Sequence, residues 1–398
     1  MGFPRCYALT LLHVLAVACA CDDTTRPASL GSSTGQRDAS STDGGIVDID
    51  NRDKPPQADA SGYCGNHFFA VTPNPPNLYF VLDRSGSMKS TVSADSQVTK
   101  YAAVRYASID VVASLGSAVS VGAAVFPGSP SQDECSVGMQ VFPTRRGDQA
   151  GSYSGKYGPV TIAFAQAIDV LSKDGTPTAT TLRFLLPLLG ELKGRTSVLL
   201  ATDGGPNCST AFACGAADCT WNIEGAMVSL EKCTPDRNCC DPAMPKGPGL
   251  NACLDGVATA TAVAALRDAE IRTYVVGIPG SEHYASLLEQ LAVLGGTARP
   301  TSPRYYQVND GSELGATLLH IGKLASLSCE FTLNEPPPDP KFVNVYLDQT
   351  IIALDPVNGW SWTNPTSLRV NGEACTRIER GDIAQVQVVA GCPSMPPR

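Results

Sequence analysis

The sequence predicts an α/β protein whose doubly wound sheet is mostly parallel. Two observations carry this prediction: short apolar runs rich in β-branched residues recur along the chain, and longer amphipathic segments separate them. The apolar runs predict strands at 78–82, 119–126, 197–202, 271–277 and 305–308. The amphipathic segments predict helices near 98–115, 159–172, 178–190, 257–270, 282–294 and 312–328. Apolar strands separated by helices are typical of a sheet that is covered on both faces.

Two regions depart from this alternation. The run 137–142 follows the strand 119–126 after a loop of Pro, Gly and Ser, so we expect an antiparallel hairpin return there. After Cys329, the proline-rich stretch 335–340 precedes short β-branched runs that are broken by Asn-Gly pairs. Such runs and turns are typical of hairpins. The chain is therefore predicted to contain an α/β domain over 64–329 and a small all-β domain over 330–398.

The N-terminal segment has the pattern of an export signal. Arg5 precedes an apolar run over 7–20, which has the length of a signal peptide and is too short to span a bilayer. Small residues precede Cys19 and Cys21, and this resembles a bacterial lipoprotein signal; a plain secretory peptide that is cut nearby is the alternative. We therefore predict a signal peptide over 1–20 and a lipid on Cys21, with Cys19 as the other candidate. Residues 21–63 are rich in Asp, Ser, Thr, Gly and Pro, and are predicted to form a disordered tether.

Composition excludes one class of partner and indicates a compartment. The 398 residues carry a formal net charge of -9 and show no basic cluster, so binding to nucleic acid is not expected. No second long apolar run follows the signal, so a lipid would be the only membrane anchor. Fifteen cysteines is a high count, and indicates disulfides formed in an oxidising compartment. A lipid on Cys21 leaves an even set of candidates: Cys64, Cys135, Cys208, Cys214, Cys219, Cys233, Cys239, Cys240, Cys253, Cys329, Cys375 and Cys392.

Seven of these cysteines lie in an insertion over 204–256. Their spacing is irregular and contains no C-x-x-C pair, so a disulfide-stapled loop is favoured over a zinc ribbon. The topology places Cys135 near the insertion, and we expect it to supply the eighth partner. We further expect Cys64 to bridge Cys329, which would restrain the helix near 312–328 and fix the tether at the sheet edge away from residue 203. Cys375 and Cys392 could close the small β domain.

Oxygen-bearing side chains occur where predicted strands end. The run Asp83-Arg84-Ser85-Gly86-Ser87 directly follows the strand 78–82, and Asp203 follows the strand 197–202. A loop with the sequence Gly-Thr-Pro-Thr contains Thr176. Ligands of α/β sheets sit outside the carboxyl ends of the strands, and hard oxygen donors suit Mg²⁺. These positions therefore predict a site for a divalent cation.

The three segments resemble the von Willebrand factor A-type domain and its metal-ion-dependent adhesion site. The resemblance covers roughly Asn77 to Ser328, and the segments occur in family order. It implies a Rossmann-like fold and a bound Mg²⁺, or alternatively Mn²⁺ or Ca²⁺. It also implies that an Asp or Glu carboxylate of a protein partner completes the coordination. The implied metal ligands are Asp83, Ser85, Ser87, Thr176 and Asp203.

The function implied by this resemblance is non-enzymatic. We expect metal-dependent protein binding or adhesion by an exported protein that is lipid-anchored at the bacterial cell envelope. The alternative is an assembly or scaffold subunit within the envelope, and a third class is an exported metal-dependent enzyme. The enzyme is disfavoured because no general base accompanies the cluster; His67, His283 and His320 lie apart in the sequence. The insertion is expected either to shape partner specificity or to act as a rigid cover.

Overall fold

A computed structural model describes residues 64–128, 133–172, 174–208 and 213–397. The predicted signal peptide, the lipid-bearing cysteines and the predicted tether lie outside the described residues. The strands in chain order are β1 (His67–Phe69), β2 (Val71–Pro73), β3 (Asn77–Asp83), β4 (Ser120–Phe126), β5 (Met139–Arg146), β6 (Thr196–Thr202), β7 (Met227–Val228), β8 (Glu231–Lys232), β9 (Arg272–Gly277), β10 (Tyr306–Gln307), β11 (Glu330–Leu333), β12 (Val343–Leu347), β13 (Thr350–Ile352), β14 (Trp360–Asn364), β15 (Ser367–Val370) and β16 (Val386–Ala390).

The α-helices lie mainly between the strands of the α/β part. They are α1 (Lys100–Leu115), α2 (Pro159–Ala167), α3 (Thr178–Gly190), α4 (Thr220–Ile223), α5 (Gly256–Asp268), α6 (Ala285–Leu294), α7 (Gly311–Ser326) and α8 (Gly372–Glu379). Within the described part of the chain, none of the helices combines the length and apolar character that crossing a membrane requires.

Six strands form the central sheet in the order β10-β9-β6-β3-β4-β5. The pairs that link β10 to β4 are parallel, and β5 runs antiparallel to β4. All seven residues of β3 are buried, because helices cover both faces of the sheet. Phe80 packs with residues of α1, α2 and α7, whereas Val81 packs on the other face with residues of α3, α5 and α6. The predicted doubly wound α/β fold and the antiparallel return after β4 are confirmed.

Two four-stranded sheets form the C-terminal region, in the orders β1-β16-β12-β13 and β14-β15-β11-β2. They share an apolar core around Phe69, Phe331 and Trp360. Strands β1 and β2 precede the α/β part in sequence but pair with C-terminal strands. The predicted α/β domain over 64–329 therefore begins too early, because residues 67–73 belong to the C-terminal sheets. The division into two domains itself stays a prediction.

The prediction that the C-terminal region is all-β is wrong at α8. The Asn-Gly pair at 371–372 was expected to form a hairpin turn, but Asn371 is the N-cap of this helix and Gly372 adopts φ +61°. Ala374 and Ile378 are four residues apart and both contact the C-terminal core. This helical spacing buries one face of the segment against the strands, and it outweighs the turn signal of the Asn-Gly pair.

The described cysteines confirm the predicted staples of the insertion and correct the other two predicted bridges. The six disulfides are Cys64–Cys392, Cys135–Cys208, Cys214–Cys253, Cys219–Cys240, Cys233–Cys239 and Cys329–Cys375. The predicted bridges Cys64–Cys329 and Cys375–Cys392 are wrong because β1 pairs with β16 and thereby brings Cys64 to Cys392. The prediction that the tether lies at the sheet edge away from residue 203 depended on a Cys64–Cys329 bridge, and it loses its support.

Opening the bridge between Cys329 and Cys375 is expected to destabilise the protein. Their sequence separation is 46, and a loop of this size predicts a loss of about 4 kcal/mol in the free energy of unfolding when both residues are changed to serine. Urea denaturation of the oxidised protein measures it. As a control, opening Cys233–Cys239, with a separation of 6, is expected to cost about 2 kcal/mol. An equal or reversed order of the two losses would contradict the loop-entropy argument.

Candidate metal centre

Two aspartates meet where neighbouring parallel strands end. Asp83 is the last residue of β3, and Asp203 directly follows the last residue of β6. In the register of this pair, Leu82 lies opposite Ala201, so the carboxyl ends of both strands reach the same edge of the sheet. Both residues are buried at this edge: Asp83 is 0% and Asp203 2% exposed.

Hydrogen bonds fix the orientation of the Asp83 carboxylate. Its Oδ1 accepts from the backbone N–H of Ser85 at 2.8 Å, and its Oδ2 accepts from the Thr202 hydroxyl at 2.5 Å. The next residue, Arg84, is buried: its Nε donates to the carbonyl oxygen of Pro127 at 2.8 Å and its Nη1 to that of Leu171 at 2.5 Å. Arg84 therefore links the turn after β3 to the backbone at Pro127 and Leu171. This structural role could not be recognised in the sequence.

The two serines continue the polar chain to the second aspartate. Ser85 Oγ lies 3.1 Å from Ser87 Oγ, and Ser87 Oγ donates to Asp203 Oδ1 at 2.7 Å. Together with the bond between Ser85 and Asp83, these contacts link four of the five predicted metal ligands in one continuous hydrogen-bonded cluster. Their donor atoms are hydroxyl and carboxylate oxygens, which are the ligands that Mg²⁺, Mn²⁺ and Ca²⁺ take.

The fifth predicted ligand joins this edge through its backbone. Thr176 N–H donates to Asn207 Oδ1 at 2.8 Å, and Asn207 N–H donates to the Thr176 carbonyl oxygen at 2.9 Å. On the other side, a Cβ added at Gly86 would lie 2.2 Å from Asp174 Oδ1. The loop 174–176 is therefore packed between the turn after β3 and the segment after Asp203, and Thr176 is 5% exposed.

The electrostatics of this cluster favour a cation. Burial, together with the neighbouring Asp203 charge, raises the pKa of Asp83 to about 7, although hydrogen bonds from Thr202 and Ser85 oppose the shift. Two carboxylates at such a buried edge are costly unless positive charge compensates them. A divalent cation would supply that charge, and the oxygen-only donor set fits one. The residues present therefore fit the ion that the family resemblance implies.

The site contains one charged residue, Lys100, that was not predicted from the sequence. Lys100 is the first residue of α1, and its Nζ donates to Asp203 Oδ2 at 2.7 Å. The Lys100 side chain is 12% exposed and that of Asp203 0%. The one available signal was weak: a lysine at a helix N-terminus opposes the helix dipole, and such a position calls for a separate reason.

The cysteine-rich insertion borders the same edge. Tyr284 lies against Gly205, which is two residues beyond Asp203, and its hydroxyl donates to Glu224 Oε1 of the insertion at 2.7 Å. The Cys135–Cys208 disulfide joins the segment before β5 to the segment after β6. The location of the insertion beside this edge is therefore as expected, whereas its role as a specificity element or as a cover stays a prediction.

Comparisons with known proteins return similar structures at low sequence identity. No protein-family model and no curated protein matches the sequence. Among solved structures, a mutant of the PilB minor pilin from Streptococcus sanguinis is 16% identical with a TM-score of 0.40, over 63% of this chain and 61% of that one. The pilus adhesin SpaC from Lactobacillus rhamnosus GG is 14% identical with a TM-score of 0.42, over 79% of this chain and 38% of that one. A von Willebrand factor type A protein from Catenulispora acidiphila is 13% identical with a TM-score of 0.39, over 80% and 57%. Similarities of this size do not assign the chain to a family.

Proposed function

We propose that this chain is a von Willebrand factor A-type binding or adhesion protein of the bacterial cell envelope. It is non-enzymatic, and it binds a protein partner through a divalent cation. The observation that supports this proposal most directly is the cluster of Asp83, Ser85, Ser87 and Asp203, which the sheet brings to one edge. Thr176, from the adjacent loop, completes the proposed set of ligands for Mg²⁺, Mn²⁺ or Ca²⁺.

The charges of this site suit a carboxylate as the partner's ligand. Asp83 and Asp203 carry two negative charges when both are ionised, and Lys100 supplies one positive charge. The remaining protein ligands are neutral hydroxyls, so a bound divalent cation leaves one net positive charge at the sheet edge. An Asp or Glu side chain of the partner compensates this charge and takes a coordination position that water fills otherwise.

Export and lipid anchoring belong to the same proposal. The described cysteines from Cys64 to Cys392 are all paired, and such a disulfide density is typical of oxidising compartments. A lipid on Cys21, or on Cys19, and a tether over 21–63 would hold the domain at the envelope. An assembly subunit inside the envelope would use the same site, and protease treatment of intact cells distinguishes it from a surface adhesin.

Removing the Asp83 carboxylate is expected to abolish metal-dependent partner binding. In a pulldown from whole cells with the purified chain, EDTA should release the partner and Mg²⁺ should restore it. Asp83→Ala should lower the recovered partner by more than about tenfold, because a charged ligand of the ion is lost. Partner recovery that is unaffected both by EDTA and by Asp83→Ala would overturn the proposed function. Circular dichroism of the variant establishes that the loss does not come from unfolding.

A further inference from the structure

Lys100 occupies a position that helix electrostatics disfavours. It begins α1, where the N-terminal end of the helix dipole is positive, and the first turn of α1 contains no acidic residue. The helix does not need Lys100 for capping, since the Thr99 side chain accepts a hydrogen bond from Ala102 N–H. A local role in the helix therefore does not account for a lysine here.

The surroundings of Lys100 direct its ammonium group into the metal edge. The side chain is only 12% exposed, and its Nζ lies 2.7 Å from Asp203 Oδ2. Gly280 lies beside this ammonium group, since a Cβ added at Gly280 would lie 2.8 Å from Lys100 Nζ. The Lys100 ammonium group therefore lies next to both Asp203 and the turn that leads from β9 to α6.

The two carboxylate oxygens of Asp203 have different partners. Oδ1 accepts from Ser87 Oγ, which belongs to the proposed ligand set, whereas Oδ2 accepts from Lys100. Lys100 therefore contacts the oxygen of Asp203 that Ser87 does not contact. It holds the carboxylate so that a single oxygen faces the other proposed ligands.

We propose that Lys100 is a positioning residue that tunes the metal site, and this inference rests on the proposed function. Its positive charge close to the site repels a divalent cation and withdraws negative charge from Asp203, so it weakens cation binding. The same effect leaves the bound ion with more of its own charge, which favours the partner's carboxylate. Lys100 thus lowers the affinity of the site for the ion and raises the affinity of the bound ion for the acidic ligand.

The test measures binding of Mn²⁺ alone by isothermal titration, without any partner. Lys100→Met is expected to raise the affinity for Mn²⁺ by about tenfold, because a like charge is removed from the site. Lys100→Gln, which can still donate to Asp203, is expected to raise it as well. Lys100→Arg keeps the charge and is expected to stay close to the unaltered protein. Lys89→Met is the matched control, since Lys89 is exposed and pairs with Asp174 on the same edge.

The possible results separate this inference from the proposed function. An affinity that is unchanged or lowered in both Lys100→Met and Lys100→Gln, while the unaltered protein binds Mn²⁺, overturns the tuning role alone. An unaltered protein that binds no divalent cation overturns the proposed function and this inference with it. Thermal unfolding supplies a second measurement: Mn²⁺ should raise the melting temperature of Lys100→Gln by more than that of the unaltered protein.

Discussion

Replacing Asp203 with alanine is expected to weaken Mn²⁺ binding by more than about 100-fold. The substitution removes one of the two proposed charged ligands, and loss of an outer-shell partner alone already costs about 10–100-fold in metal sites. It also leaves the Lys100 ammonium without its partner beside the remaining ligands, so the ion meets a positive charge that Asp203 no longer balances. Isothermal titration with MnCl₂ measures the change.

Asp174→Ala is the matched control for this result. Asp174 lies on the same edge, against Gly86, but its carboxylate pairs with the exposed Lys89 and is 61% exposed. Its removal is expected to change Mn²⁺ affinity by less than about threefold, since exposed ion pairs contribute little. Equal losses in Asp203→Ala and Asp174→Ala would mean that general negative charge, and not ligation by Asp203, holds the ion.

Replacing Glu379 with alanine is expected to lower the free energy of unfolding by about 3–5 kcal/mol. Glu379, at the end of α8, is only 5% exposed; its Oε1 lies 2.9 Å from Arg195 Nη1, and its Oε2 contacts Arg272. Burial lowers the pKa of Arg195, while the Glu379 charge opposes that shift. Without Glu379, two partly buried guanidinium groups would face each other with no carboxylate between them. Urea denaturation monitored by tryptophan fluorescence measures the loss.

Glu330→Ala provides the comparison for this second effect. Glu330 also pairs with an arginine, Arg369, but the two side chains are 20% and 43% exposed. Solvent screens this pair, and its removal is expected to cost about 1 kcal/mol or less. A cost for Glu379→Ala that is no larger than the cost for Glu330→Ala would contradict the buried ionic link between the α/β part and the C-terminal region.

The central sheet could be predicted because its strands carry their own signal. Strands β3 and β6 are seven-residue runs that are buried along their whole length, and parallel pairing places their carboxyl ends together without further information. The same rule predicts from the sequence alone that Asp83 and Asp203 lie at one edge of the sheet. Hydrogen bonds with the intervening serines then follow from the tight turn after β3.

The remaining features depend on contacts between distant segments. Strands β1 and β2 have three residues each and pair with strands more than 250 residues away, so neither length nor periodicity distinguishes them from loop. Cysteine parity indicated complete pairing but not the partners, and the errors at Cys64 and Cys329 follow from the unrecognised pairing of β1 with β16. Lys100 was missed because its contact with Asp203 joins positions that are 103 residues apart in the chain.

The bond between Cys64 and Cys392 has a mechanical consequence. It closes a covalent ring that contains the whole α/β part, and the proposed metal edge lies inside this ring. If the metal edge is held and tension is applied at Cys64, the load divides between two covalent routes: forward through β2 into β3, and across the disulfide into β16. Neither the three residue pairs between β1 and β16 nor the N-terminal route alone has to bear the full force.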